Sequence, residues 1–187
     1  MLLTTVISLI LGALPSEAVA SKCCPGVFKT HEHHARILQN YVDIWAGNLS
    51  LIDSTLAPAL SLQIDRFPTG SHGSVPLAPT INSSAAFSSF VQSTRSNFDK
   101  YGFTVQKWAG EDRHISLRWT MEAVLGDKFK AVPTTLKAGD AVTYNGTEFL
   151  TLDPCTGLVV EVDSAQDLIT FMYNLGNDIN LTPLKKA

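Results

Sequence analysis

The feature that most constrains this chain is a run of alternating residues beyond its midpoint. Across residues 114–123, polar and apolar side chains alternate from one position to the next. A period of two is the pattern of a strand that buries one face and leaves the other in solvent. A sheet built on such a strand has one apolar face, and a second layer of the protein must cover it.

Three further apolar runs follow in the same half of the chain. They occupy 141–144, 148–152 and 158–162, and the turn signals Asn145-Gly146 and Asp153-Pro154 separate them. Because short connections join neighbouring antiparallel strands, this half predicts an antiparallel meander.

The N-terminal half supplies helical patterns for the covering layer. One helix face is indicated by the spacing of Leu38, Tyr41, Val42 and Trp45. A second apolar stripe predicts a helix over 84–101, with strands over 60–64 and 103–108 on either side, and 168–175 predicts a short closing helix. We therefore predict an α+β fold, in which about three helices cover a curved, mostly antiparallel sheet of five or six strands.

The beginning of the chain resembles a targeting segment. Residues 1–20 are apolar and end in Ala18-Val19-Ala20, so we interpret them as a cleaved secretory signal peptide. A membrane anchor is the alternative, but the apolar run is shorter than a spanning helix. The remaining chain divides into a linker and helix start at 21–36, one folded domain at 37–176 and a C-terminal tail at 177–187.

Glycosylation signals and cysteines agree with a secretory route. Four N-glycosylation sequons begin at Asn48, Asn82, Asn145 and Asn180. In an oxidising compartment, Cys155 is expected to pair with Cys23 or Cys24. We expect a glycoprotein that is secreted or held in the lumen of the secretory pathway, with no membrane association after signal cleavage.

Several functional classes lack their signatures. A formal net charge of −3 gives no basic surface for nucleic acid. The cluster His31-Glu32-His33-His34 is not the zinc motif HExxH, because Ala35 stands where the second histidine belongs. We interpret this cluster as a solvated helix start and predict no metal site. Neither a nucleotide-binding glycine loop nor a Ser-His-Asp signature is present, and we expect no cofactor.

The order of motifs in the C-terminal half resembles the SnoaL-like polyketide cyclase family, within the nuclear-transport-factor-2-like superfamily. The matching residues are Arg118-Trp119-Thr120, Val132-Pro133-Thr134, Val142, Tyr144, Gly146, Phe149, Thr156-Gly157-Leu158-Val159-Val160-Glu161, Asp167 and Leu175-Gly176. The resemblance covers about residues 41–176. It implies a cone-shaped domain with an apolar pocket that works without a cofactor.

The resemblance also implies a catalytic residue, Asp167. This carboxylate would remove a proton next to a carbonyl group, so that the resulting enolate closes a ring by aldol attack. Asp167 is also placed to cap the helix at 168–175, and this alternative stays open. The strand at 148–153 lacks the histidine expected as a partner, so His72, on the long loop at 67–80, is the candidate, with a solvent-exposed histidine as the alternative.

Five residues are predicted to shape the substrate pocket: Tyr41, Trp45, Trp119, Met121 and Phe149. Ordinary core packing is the alternative for these side chains. By analogy with this fold class, the outer face of the sheet is a candidate homodimer surface.

The expected activity follows from the resemblance. We expect a cofactor-free cyclase, isomerase or dehydratase that acts on a small hydrophobic polyketide- or terpenoid-like intermediate of secondary metabolism. The alternative is a secreted, non-catalytic protein of the same fold, either a small-molecule carrier or a host-interaction module. The missing histidine partner favours this alternative.

Overall fold

The computed structural model describes residues 30–64 and 81–178. In chain order, the elements are α1 (His31–Trp45), a 3-10 helix (Leu49–Leu51), α2 (Ile52–Thr55), β1 (Leu56–Ile64), α3 (Ser84–Arg95), β2 (Phe98–Glu111), β3 (His114–Leu125), β4 (Ala141–Leu152), β5 (Val159–Gln166) and α4 (Leu168–Asn174). The predicted α+β class, with helices over a curved sheet, is confirmed. In the two described ranges, no helix combines the length and apolarity needed to cross a membrane.

One five-stranded sheet organises the domain, in the order β1-β5-β4-β3-β2. Strands β2 to β5 form the predicted antiparallel meander, and β1 joins its edge in parallel with β5. The sheet is therefore mixed: the pairing of β1 with β5 is parallel, and the other three pairings are antiparallel.

The predicted turn at Asn145-Gly146 is wrong, because β4 runs through it without interruption. Gly146 lies opposite Trp119 of β3, and a Cβ atom at Gly146 would overlap the indole ring. The glycine therefore leaves room for a large neighbour instead of bending the chain. Two predicted strands merge at this point, and for this reason the sheet has five strands where six runs were visible in the sequence.

The helix predicted over 84–101 is shorter than expected. Its last residue is Arg95, and Phe98 begins β2, where it pairs with Leu125 of β3. Pairing with β3 has overridden the helical spacing of the apolar residues, as tertiary context often does. The Arg95 guanidinium donates hydrogen bonds to the carbonyl oxygens of Trp45, at 2.9 Å, and Tyr101, at 3.0 Å, and so connects α3 to α1 and β2.

The core lies between the concave face of the sheet and helices α1 and α3. Strand β3 alternates as predicted, and its buried side chains are Ile115, Leu117, Trp119, Met121 and Ala123. Helix α1 contributes Ile37, Leu38, Tyr41, Ile44 and Trp45, and α3 contributes Phe87 and Val91. The edge-on contact of Trp45 with Phe87, with ring centroids 5.5 Å apart, joins the two helices.

The start of α1 is not the solvated turn predicted for its histidines. His33 and His34 are buried, and each donates a hydrogen bond through Nε2 to a backbone carbonyl. His33 binds Gly157 at 2.9 Å, and His34 binds Asp112 at 3.1 Å. The sequence of this helix turn does not show that it packs against two hairpin loops. The carbonyl groups of those loops require hydrogen-bond donors, and the two histidines supply them.

Gly146→Ala tests the packing of β4 against Trp119. We expect a loss of roughly 1–3 kcal/mol in the free energy of unfolding, because the added methyl group must displace a buried indole ring. Gly102→Ala is the matched control, since nothing lies within 4 Å of its Cβ position, and it should change stability by less than about 0.5 kcal/mol. Urea denaturation measures both changes, and equal stability of the two variants would contradict the assignment.

Candidate functional site

A small pocket lies between α1 and the concave face of the sheet. Its empty volume is about 200 Å³, including the space at its mouth, and it is lined by Tyr41, Val42, Trp45, Phe103, Leu117, Trp119 and Glu148. We call it the aromatic pocket. Its interior has room for about one water molecule, far less than the roughly 300–1,000 Å³ of most small-molecule sites.

Three strands and one helix position these side chains. Tyr41 and Trp45 are four residues apart on α1 and therefore share a face of the helix. Ring contacts continue the wall across the sheet, from Trp45 to Phe103 at 5.5 Å and from Phe103 to Trp119 at 4.8 Å between centroids. Glu148 on β4 lies opposite Leu117 on β3, which places its carboxyl group on the same concave face.

Glu148 is the one carboxyl group in the lining of the aromatic pocket. Its side chain is 5% exposed, and Ser164 Oγ donates a hydrogen bond to its Oε1 at 3.1 Å. Burial raises the pKa of Glu148 to about 7, while the hydrogen bond from Ser164 and the nearby Tyr41 hydroxyl offset part of that rise. The carboxyl group is therefore able both to give and to take a proton near neutral pH.

Three other polar groups of the lining are buried without a hydrogen-bond partner: Tyr41 OH, Trp45 Nε1 and Trp119 Nε1. The Tyr41 hydroxyl lies close enough to both Trp45 and Glu148 for these side chains to affect its pKa, but outside hydrogen-bonding geometry with either. Burial and the nearby Glu148 raise the pKa of Tyr41 well above its ordinary value, so its hydroxyl keeps its proton.

The structure brings together three of the five predicted pocket residues. Tyr41, Trp45 and Trp119 line the aromatic pocket. Met121 is buried in the core, outside the lining. Phe149 was placed wrongly, since it is 53% exposed and lies on the outer face of the sheet, next in sequence to the inward-facing Glu148. The homodimer surface predicted on that outer face stays a prediction.

Asp167 is a helix cap. Its Oδ1 accepts a hydrogen bond from the backbone N–H of Thr170 at 3.0 Å, and its Oδ2 accepts one from the Thr170 hydroxyl at 2.7 Å. These bonds lower the pKa of Asp167, which is the opposite of what a proton donor at neutral pH requires. The capping alternative is what the structure shows, and Asp167 does not line the aromatic pocket. His72, its proposed partner, lies outside the described residues.

The predicted modification sites have different surroundings. Asn48 and Asn82 are exposed, whereas Asn145 is half-buried in β4 and accepts a hydrogen bond from Thr120 at 2.7 Å. Asn180, Cys23 and Cys24 lie outside the described residues, so the pairing of Cys155 stays a prediction. Within residues 30–64 and 81–178, no group of three histidine, cysteine or acidic side chains is placed to hold a metal ion.

Sequence reasoning missed Glu148, although a signal was present. Counting by two from Val142 through Tyr144 and Gly146 reaches Glu148 on the buried face of β4. Interpreting Asn145-Gly146 as a turn stopped this count and left the register of the following residues undefined. A glutamate in phase with buried residues predicts a carboxyl group inside the domain.

Comparison with solved structures identifies the fold. TsrD from Streptomyces laurentii superposes with a TM-score of 0.62 at 12% identity, over 79% of this chain and 97% of that one. IdmH from Streptomyces antibioticus gives 0.61 at 18% identity, over 77% and 99%. A SnoaL-like polyketide cyclase from Agrobacterium tumefaciens gives 0.57 at 11% identity, over 76% and 98%. This chain has the SnoaL-like fold.

The SnoaL-like fold confirms the architecture that the sequence motifs implied. No protein-family model matches the chain, and no curated protein matches it in sequence. At these identities the shared SnoaL-like fold does not transfer a reaction or a catalytic residue, so function has to be argued from the aromatic pocket itself.

The raised pKa of Glu148 predicts a pH-dependent stability that Glu148→Gln removes. The pKa is near 4.5 in the unfolded chain and about 7 in the folded protein, so folding favours the protonated carboxyl group. The resulting stabilisation is complete below pH 4.5 and is lost as the pH rises through 7, with a total on the order of 3 kcal/mol. Chemical denaturation of both proteins between pH 4 and 8.5 measures the difference.

The Gln variant keeps an acceptor for Ser164 and differs mainly in lacking the titrating proton. The stability of the wild type relative to Glu148→Gln should therefore fall between pH 4.5 and 7 and stay constant above pH 8. Parallel profiles across this range would show that the buried carboxyl group does not titrate as proposed.

Proposed function

We propose that this protein is a cofactor-free acid–base enzyme of the polyketide cyclase type, with Glu148 as the group that transfers the proton. The observation that carries this proposal is a carboxyl group with a pKa of about 7 inside an aromatic pocket. General acid–base catalysis is most effective when the pKa of the catalytic group is close to the working pH.

The reaction begins at a carbon atom next to a carbonyl group. Ionised Glu148 takes the proton from this carbon, and the electron pair of the C–H bond moves onto the carbonyl oxygen to form an enolate. Return of the proton from Glu148 to another carbon isomerises the substrate. Alternatively, the enolate carbon attacks a second carbonyl group of the same molecule, and Glu148 gives its proton to the new alkoxide. Each route restores ionised Glu148 and needs no oxidant or reductant.

The substrate class rests on the pocket and on its relatives in fold. Aromatic side chains surround the carboxyl group, which suits a small hydrophobic molecule. A SnoaL-like polyketide cyclase has the same fold, and this supports a polyketide- or terpenoid-like carbonyl compound of secondary metabolism as the substrate.

A non-catalytic carrier is the second candidate. It is favoured by the small volume of the aromatic pocket, and by a lining in which Glu148 is the only side chain that titrates near neutral pH. A carrier would bind the same hydrophobic molecules and release them unchanged.

Hydrogen–deuterium exchange at the methyl group of acetophenone in D₂O tests the assignment. NMR follows the loss of the methyl proton signal and reports proton removal next to a carbonyl without the natural substrate. We expect wild-type protein to accelerate exchange, with an apparent pKa near 7, and Glu148→Gln to lower the rate by a factor of about 10² to 10⁴.

Asp167→Asn is the matched control, because asparagine keeps the helix cap and removes the charge. It should exchange acetophenone at the wild-type rate. Loss of exchange in Asp167→Asn with retention in Glu148→Gln would return the catalytic role to Asp167. Binding of acetophenone without accelerated exchange would support the carrier.

We also propose that the protein enters the secretory pathway. The apolar segment at 1–20, with its small-residue end Ala18-Val19-Ala20, and the exposed sequon asparagines Asn48 and Asn82 support this proposal. Expression in a eukaryotic cell should yield a chain that begins at Ser21 and loses mass on enzymatic removal of N-glycans, with smaller losses in Asn48→Gln and Asn82→Gln. Mass spectrometry measures both features, and an intact Met1 terminus without glycans would contradict the proposal.

A further inference from the structure

The three unpartnered polar groups of the aromatic pocket are concentrated in one place. In the described part of the chain, six buried side-chain nitrogen or oxygen atoms have no hydrogen-bond partner, and three of these belong to Tyr41, Trp45 and Trp119. Leaving a buried donor unpaired costs about 1–3 kcal/mol. Because native proteins pair nearly all such groups, three of them in the lining of a single pocket indicate a site for a polar ligand.

The chemistry of these groups defines the kind of ligand that they can bind. An indole N–H donates a hydrogen bond and cannot accept one, and the Tyr41 hydroxyl keeps its proton because its pKa is raised. The group that satisfies two indoles and a phenol must therefore be an acceptor. An ammonium ion or another pure donor would leave both indole N–H groups unpaired.

We propose that Tyr41, Trp45 and Trp119 bind the carbonyl oxygen of a neutral ketone or ester, with the adjacent carbon facing Glu148. This inference rests on the proposed function, since it names the part of the substrate that the site recognises. A carbonyl oxygen has two lone pairs and accepts more than one hydrogen bond. Before the ligand binds, water can occupy the position, and the carbonyl oxygen replaces it.

The same donors also serve the proposed reaction. Negative charge moves onto the carbonyl oxygen when Glu148 removes the neighbouring proton, and hydrogen bonds to that oxygen become stronger as the charge develops. The interior of the aromatic pocket has room for about one water molecule, which is the size of a carbonyl oxygen. The specificity is therefore for the carbonyl group, while the apolar part of the ligand stays at the mouth of the pocket.

A pair of probes of equal shape tests the proposal. Acetophenone carries a carbonyl group where α-methylstyrene carries a methylidene group, so the two differ in the acceptor oxygen and little else. We expect acetophenone to bind at least tenfold more tightly to wild-type protein. Titration followed by NMR of ¹⁵N-labelled protein measures both affinities.

The indole N–H signals provide an internal control. The chain has three tryptophans, and Trp108 is not part of the pocket lining; its ring stacks on His31, with centroids 4.9 Å apart. Acetophenone should shift the N–H signals of Trp45 and Trp119 and leave that of Trp108 unchanged. The Trp108→Phe variant should keep the wild-type preference for acetophenone.

Variants that remove single donors complete the test. Trp119→Phe and Tyr41→Phe keep an aromatic ring, and each should lower the preference for acetophenone about threefold or more. Equal affinity for the two probes, no binding of acetophenone, or an unchanged preference in both Phe variants would overturn the proposal. If wild-type protein prefers acetophenone but does not accelerate its hydrogen–deuterium exchange, the proposed reaction is refuted and the carbonyl-binding site is still supported.

Discussion

The structure depends on the register between β3 and β4. Trp119 fits over Gly146, and this fit fixes which residues of both strands face the core. With that register, Glu148 points inward and Phe149 points outward. A shift by one residue would exchange the two, burying the ring and exposing the carboxyl group. The packing of Gly146 under the Trp119 indole therefore helps decide whether a carboxyl group lies in the aromatic pocket.

The burial of Glu148 opposes stability, because a carboxyl group is costly to remove from water. A single hydrogen bond from Ser164 compensates part of that cost, and protonation compensates more. Tyr41, Trp45 and Trp119 add buried groups without partners at the same place. Buried polar groups that lower the stability of the fold and lie together in one pocket are typical of functional sites. A bound ligand can form the hydrogen bonds that these groups lack in the folded protein.

The fold could be predicted from the sequence to a considerable extent, and the site only in part. The alternation in β3 and the stripe in α1 are periodic and long, so they predicted both elements, and with them the inward positions of Tyr41, Trp45 and Trp119. Glu148 was missed, and Phe149 was assigned to the wrong face of its strand, because the Asn145-Gly146 pair has the composition of a turn. Only the neighbouring indole explains the glycine there, and a contact between strands is not visible in a single strand. Asp167 capped its helix as the local pattern allowed, while its catalytic role had come from resemblance alone.

Helix α1 is held at both of its ends. His33 and His34 join its first turn to two hairpin loops, and Arg95 holds the carbonyl oxygen of Trp45 at its last turn. The helix cannot swing away from the sheet without breaking one of these attachments. The wall that carries Tyr41 and Trp45 is therefore attached at both ends, which lowers the conformational entropy that binding costs the protein. The aromatic pocket should therefore select ligands by shape, because such a wall adjusts little to a molecule that does not fit it.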